Sequence, residues 1–216
     1  MEEKVFFNGK LGKVCGVLHL VGNKNEVVII VHGFSTNKEI GAKINSERLN
    51  EIGLNALRID LDNQGESDLD FKTEANVPNY IKQVEASIEF IKTRNFKEIS
   101  LLGTSFGGLV VLATTLNHPE IKRLFLRAPV FEDHRSPVEI AEYYSMVKHA
   151  NEIKQPIMIV QGNADKEVDY KIAQEIVNLF PNAKLKIIEG ADHGLGIKGD
   201  YTEGAEIMKK FFLKKI

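Results

Sequence analysis

Tryptophan is absent from this 216-residue chain, and cysteine occurs once, at Cys15. A lone thiol cannot close an internal disulfide, so no covalent staple is expected and a reducing, cytoplasmic setting is. Cys15 itself reads as a small strand residue. Charge of one sign is also missing: 28 lysines and arginines face 30 aspartates and glutamates, a net charge of −2. That balance supplies no field to hold nucleic acid or an anionic membrane surface, and it leaves a small molecule as the expected partner. Long hydrophobic runs are lacking too. The longest purely apolar stretches, such as Val27 to Val31, fall far short of the ~20 residues of a membrane span. Met1-Glu2-Glu3-Lys4 has neither the basic start nor the apolar core of a secretory leader, so export is not expected.

What is present is an ordinary globular composition. Hydrophobic residues make up 43% and charged residues 27%, enough apolar side chain for one well-cored domain over residues 1–216. Short β-type runs alternate with helical patterns, the signature of a parallel sheet covered on both faces. Val27–His32, Ala56–Asp60, Ile99–Gly103, Arg123–Arg127, Ile157–Gln161 and Lys184–Glu189 read as six buried parallel strands. Lys38–Ile52, Tyr80–Thr93, Gly107–Leu116, Tyr170–Leu179 and Glu203–Leu213 carry apolar residues at helical spacing. The first two runs, Val5–Phe7 and Val14–Leu20, are too close for a helical crossover and predict an antiparallel hairpin at one sheet edge. The expected fold is therefore α/β, eight strands and mostly parallel. Val130–Lys154, with a helical stretch over 138–147, interrupts the alternation and reads as a small lid.

Gly103-Thr104-Ser105-Phe106-Gly107 follows an apolar strand and opens a helical pattern. This is the context a G-x-S-x-G elbow requires: a turn too tight for side chains at either end, with the serine hydroxyl held above the sheet. A serine hydroxyl is a weak nucleophile and needs a base, which in turn needs an orienting acid. Of the six histidines, His193 is the one that follows the last strand, in Gly190-Ala191-Asp192-His193-Gly194. Asp165 leaves the Ile157–Gln161 strand in Gln161-Gly162-Asn163-Ala164-Asp165. Glu167 and Asp169 compete for the acid's role, but Asp169 stands where a helix N-cap belongs. The candidate triad is Ser105, His193 and Asp165. His32-Gly33-Phe34 ends the first long strand, which makes the Phe34 and Phe106 amides the candidate oxyanion donors. His32 reads as a strand-end histidine bonded to nearby backbone.

With these motifs in order, the chain resembles the α/β-hydrolase superfamily from about Val27 to the C-terminus. Asp60-Leu61-Asp62-Asn63-Gln64-Gly65-Glu66-Ser67 is similar to that family's D-x-x-G-H-G-x-S loop, with Asn63 and Gln64 in place of its glycine and histidine. That loop and Ile188–His193 look most like the cinnamoyl/feruloyl esterases and the serine-aminopeptidase-like and monoacylglycerol-lipase-like hydrolases. The resemblance implies a cofactor-free serine hydrolase acting on small to medium acyl esters. Thioesterase, aminopeptidase and feruloyl esterase activities remain open, since the same triad serves each. Scattered histidines and a single cysteine do not offer the clustered ligands of a zinc site. Phe131, Tyr143 and Tyr144 are candidate pocket walls, and the choice between monomer and homodimer is open.

Overall fold

The computed structural model describes residues 1–21, 25–61, 65–68, 76–133, 145–214 and 216. One eight-stranded sheet in the order β1-β2-β4-β3-β5-β6-β7-β8 organises them. β1 (Glu2–Gly9) and β2 (Gly12–His19) form the expected antiparallel hairpin, and β2 pairs antiparallel with β4 (Asn55–Ile59). β3 (Glu26–Val31), β4, β5 (Glu98–Thr104), β6 (Leu124–Arg127), β7 (Ile157–Gly162) and β8 (Ala183–Ile188) run parallel. All six therefore deliver their carboxyl ends to one rim, where ligands bind in sheets of this kind.

β3 shows why the sheet needs cover on both sides. Its Val27, Ile29 and Val31 join one apolar core, and its Val28 and Ile30 join the other. On the first face lie α2 (Val77–Thr93), α3 (Phe106–Leu116), α4 (Met146–His149) and α5 (Tyr170–Ile176). On the second lie α1 (Ala42–Glu51) and α6 (Thr202–Phe212). α3 is buried along nearly its whole length, which suits its apolar sequence FGGLVVLATTL. α2 starts at a side-chain cap, Asn76 Oδ1 accepting from Asn79 N at 3.0 Å, with proline in its first turn.

Two helix expectations need correction. The helix expected from Lys38 begins only at Ala42, after Gly41 at φ 71°. Lys38 is drawn out of helical geometry because both its amide and its ammonium bond Asp60, at 2.8 and 2.6 Å. The helix expected over 138–147 does not run through its end either. Ser145 is extended, at φ −73° and ψ 104°, and α4 starts after it. Met146 N donates to Phe131 O at 2.9 Å there, and Met146, Ala150 and Ile153 pack into the core, so this end of the insert belongs to the body. Residues 134–144, including Tyr143 and Tyr144, lie outside the described residues.

Candidate active site

Ser105 joins β5 to α3 at φ 52° and ψ −121°. A non-glycine residue in the left-handed region costs on the order of 1–3 kcal/mol and persists only where its surroundings enforce it. Here they do: Ser105 N donates to Arg127 O at 2.8 Å, while Ser105 O accepts from Gly108 N at 2.9 Å and Val130 N at 3.0 Å. The flanking glycines are dictated by contact. A Cβ on Gly103 would run into the backbone of Gly107, and one on Gly107 into the carbonyl oxygens of Val31 and His32. Other non-glycine residues at positive φ in loops that follow β3, β6 and β8 are Ser35 (φ 58°), Ala128 (φ 44°), Leu195 (φ 62°) and Lys198 (φ 52°).

The β7 and β8 loops are stitched together by backbone bonds, Asn163 N to Ile188 O at 3.2 Å and Ala164 N to Ala191 O at 3.0 Å. This seam brings Asp165 to His193, 28 residues later, with Nδ1 to Oδ2 at 2.7 Å. The Asp165 side chain is fully buried, and each oxygen accepts twice. Oδ1 takes the amides of Glu167 (2.8 Å) and Val168 (3.0 Å), and Oδ2 takes Gln161 Nε2 (2.7 Å) as well as His193. An acceptor-only carboxylate so placed fixes the ring with its proton on Nδ1 and leaves Nε2 as the basic nitrogen. Nε2 lies 3.6 Å from Glu167 Oε2 and is not hydrogen-bonded to Ser105. Asp169 caps α5, accepting from Lys171 N at 3.0 Å. His32 accepts from Leu61 N at its Nε2 (3.0 Å) and meets Gly33 O at its Nδ1 (2.7 Å), a backbone-bonded role.

Two clefts meet at Ser105, which lines both together with Phe34 and Glu167. One, about 600 Å³, is walled by Phe131, Val168, Ile172 and Ile176. The other, about 650 Å³, holds His193, Arg127, Arg48 and Tyr201. Phe34 is 41% exposed at their junction, its ring edge-on to Phe106 with centroids 5.9 Å apart. The Phe106 ring is itself buried and packs edge-on against Tyr80 at 5.6 Å, so it serves the core as well as the cleft. Gly33, just before Phe34, lies against Ser105: a Cβ there would meet the serine Cβ at 3.4 Å.

Beside the site, Asp60 is the hub of the loop after β4. Its carboxylate accepts from Lys38 N, Lys38 Nζ and Glu66 N, and a Cβ on Gly65 would overlap it. Lys38 Nζ also reaches Glu66 Oε2 at 2.8 Å. Burial works against this ammonium, but its bonds to Asp60 and Glu66 outweigh burial and raise its pKa. Hydrogen bonds from Lys38 and Lys4 hold the Glu66 carboxyl down at about 2. Cys15, Asp60 and Glu66 form a metal-type ligand cluster among the described residues, and the Lys38 ammonium already bonds both of its carboxylates.

Sequence reasoning missed Gln161, Arg127, Arg48 and the pairing of Lys38 with Asp60. Gln161 stands four residues before Asp165 at a strand end, and this spacing alone could have flagged it. The others depend on chain segments far apart in sequence.

The family model described as serine aminopeptidase, S33, matches residues 22–144, a span that holds Phe34, Ser105 and Arg127 and ends before Asp165 and His193. No curated protein sequence matches significantly. Among solved structures, the chain is similar to Est1E from Butyrivibrio proteoclasticus with ferulic acid bound, at TM-score 0.84 and 22% identity over 98% of both chains. It is also similar to an esterase of Pyrococcus furiosus, at 0.82 and 20% over 99% of this chain and 92% of that one. A dienelactone hydrolase of Anabaena variabilis aligns at 0.81 and 19%, over 99% and 97%. These likenesses establish the α/β-hydrolase fold. With more than half its length matched by the family model, the chain belongs to the serine aminopeptidase (S33) family of hydrolases.

Proposed function

We propose that the chain hydrolyses carboxylic esters through an acyl-enzyme on Ser105. The observation that carries this reading is the buried Asp165 carboxylate bonded to His193 at 2.7 Å, in a cleft that Ser105 also lines. His193 Nε2 takes the serine proton as Oγ attacks the ester carbonyl, and the bond to Asp165 stabilises the imidazolium that results. The Phe34 and Phe106 amides receive the developing oxyanion, the latter at the N-terminus of α3, where the helix dipole favours negative charge. His193 then protonates the leaving oxygen, and water activated by the same ring releases the acid. A serine–histidine hydrogen bond of this kind tightens as substrate binds, so the mechanism does not require it to be formed beforehand.

Because the leaving group must collect its proton from His193, it belongs in the cleft that His193 lines. The acyl chain then takes the cleft of Phe131, Val168, Ile172 and Ile176. The decisive test combines a fluorophosphonate probe with p-nitrophenyl butyrate, butyryl-CoA, an aminoacyl anilide and methyl ferulate. Wild type is expected to be labelled and to turn over the butyrate ester fastest. Ser105→Ala is expected to lose labelling and to keep less than ~1% of turnover with unchanged circular dichroism. Higher residual turnover removes Ser105 as nucleophile, and faster anilide cleavage makes the enzyme a peptidase.

A further inference from the structure

Among the described residues three arginines are more than nine-tenths buried: Arg58, Arg123 and Arg127, at 2%, 5% and 8% exposure. Two of them have carboxylate partners. Arg58 Nη1 meets Glu2 Oε1 at 2.7 Å, and Arg123 Nη2 meets Glu26 Oε1 at 2.5 Å. Arg127, the last residue of β6, has none among the described residues. Among the described residues the one hydrogen bond of its guanidinium runs from Nη2 to Gly194 O at 2.9 Å, which leaves most of its donors uncommitted. A buried guanidinium without a counter-charge is costly, and burial and the charge of Arg48 together press the Arg127 pKa down to about 10, with Tyr201 acting the other way. It is still a cation at neutral pH.

Its surroundings indicate what could meet that charge. Arg127 lines the cleft of His193, with half-buried Arg48, Tyr201 and the apolar side chains of Ile40 and Ile44. Glu167 also borders this cleft, but its carboxylate is 3.6 Å from His193 Nε2 and makes no ion pair with either arginine. Two cations thus face one water-accessible cleft beside the candidate nucleophile, with an apolar wall for the body of a ligand. A guanidinium's planar fork matches carboxylate and phosphate oxygens.

We infer that this cleft selects substrates whose leaving group carries an oxyanion, carboxylate or phosphate, held by Arg127 and Arg48. The inference rests on the hydrolase reading above, since it is His193's protonation of the leaving oxygen that assigns this cleft to the leaving group.

The test compares acetyl esters that differ only in the leaving phenol: p-acetoxybenzoate, p-acetoxyphenyl phosphate and the neutral methyl p-acetoxybenzoate. Rates are normalised to hydroxide-catalysed hydrolysis to remove intrinsic reactivity. The expected result is a kcat/KM at least about ten-fold higher for a charged ester than for the neutral one, expressed mainly in KM. Whichever charged ester leads identifies the source as carboxylate or phosphate. Arg127→Met and Arg48→Gln should each pull the ratio toward one, and Arg127→Lys should keep part of it. If Arg127→Met fails to fold, the wild-type ratio and the Arg48→Gln and Arg127→Lys variants still decide. Equal turnover of charged and neutral esters by wild type overturns the inference. So does a preference for p-nitrophenyl succinate over p-nitrophenyl butyrate without a leaving-group preference, which would put the anion on the acyl side. Both results leave the hydrolase reading intact. That reading fails separately if neutral p-nitrophenyl butyrate is not hydrolysed and the fluorophosphonate does not label Ser105.

Discussion

Replacing Asp165 with asparagine should separate catalysis from stability, because the hydrogen-bond inventory around the carboxylate can be rearranged at one end only. Oδ1 accepts two backbone amides, so an asparagine must keep its carbonyl oxygen there. Its NH2 then occupies the Oδ2 position, facing Gln161 and His193. Gln161 can adapt: its Oε1 is buried and has no hydrogen-bond partner, so turning the amide over presents an acceptor at the loss of the 3.3 Å bond from Nε2 to Val168 O. His193 can adapt only by accepting at Nδ1, which moves its proton to Nε2 and removes the base. Stability should thus fall by no more than about 1 kcal/mol, one net hydrogen bond. Activity should fall by on the order of 10⁴, the scale seen when a triad histidine is held in the wrong tautomer. Asp165→Ala differs, since all four donors lose their acceptor: Glu167 N–H lies where water can replace it and Gln161 Nε2 keeps Val168 O, which leaves His193 Nδ1–H and Val168 N–H unpaired. At ~1–3 kcal/mol each, that variant should lose roughly 2–6 kcal/mol. Urea denaturation and kcat/KM on p-nitrophenyl butyrate measure both. An asparagine variant that keeps more than about a tenth of wild-type activity, or that is as unstable as the alanine variant, refutes the reasoning.

Three further outcomes follow from named contacts. Glu66 titrates at about 2 against an ordinary 4.5, a depressed carboxyl, so its contribution to stability is full above pH 4.5 and is lost as pH falls toward 2. Melting temperature against pH should show this loss in wild type and not in Glu66→Gln. Lys38→Met leaves the buried Asp60 carboxylate without its cation and should cost about 3–5 kcal/mol in urea titrations; a loss below about 1 kcal/mol would mean that the two amides on Asp60 suffice. On p-nitrophenyl esters, kcat/KM should peak between acetate and hexanoate and decline by octanoate, since each further methylene gains ~0.8 kcal/mol only while apolar wall continues; a maximum at decanoate or beyond would require a longer acyl cleft.

The parts of this protein that the sequence discloses are those fixed by short-range chain geometry. The elbow is legible because its glycines and serine must stand at fixed spacing, and five of the six parallel strands because burial on both faces makes them mostly apolar; β8, expected to be buried like the rest, is an edge strand whose Lys184 and Lys186 are exposed. Asp165 could be preferred over Asp169 because the latter's position before Tyr170 predicts a cap, and a cap is what it forms. Lys38 misleads for the opposite reason. Lysine and glutamate look like an ordinary first helical turn, and nothing local announces an aspartate 22 residues on that captures both amide and ammonium. Arg127 has the same character. As the last residue of a strand it reads as a polar terminus, and its isolation in the cleft depends on Gly194, 67 residues away.

The seam between the hairpin and the loop after β4 makes the lone thiol a reporter. Cys15 is wholly buried in β2, its amide donates to Ser67 Oγ at 2.9 Å, and its sulfur faces Glu66 Oε2 at 3.7 Å. Burial raises its pKa, so in the closed seam it is neither exposed nor ionised. A thiol reagent can then react only after the loop has lifted from the hairpin. Its labelling rate, compared with that of an unfolded chain, would read out the free energy of that opening with no engineered probe.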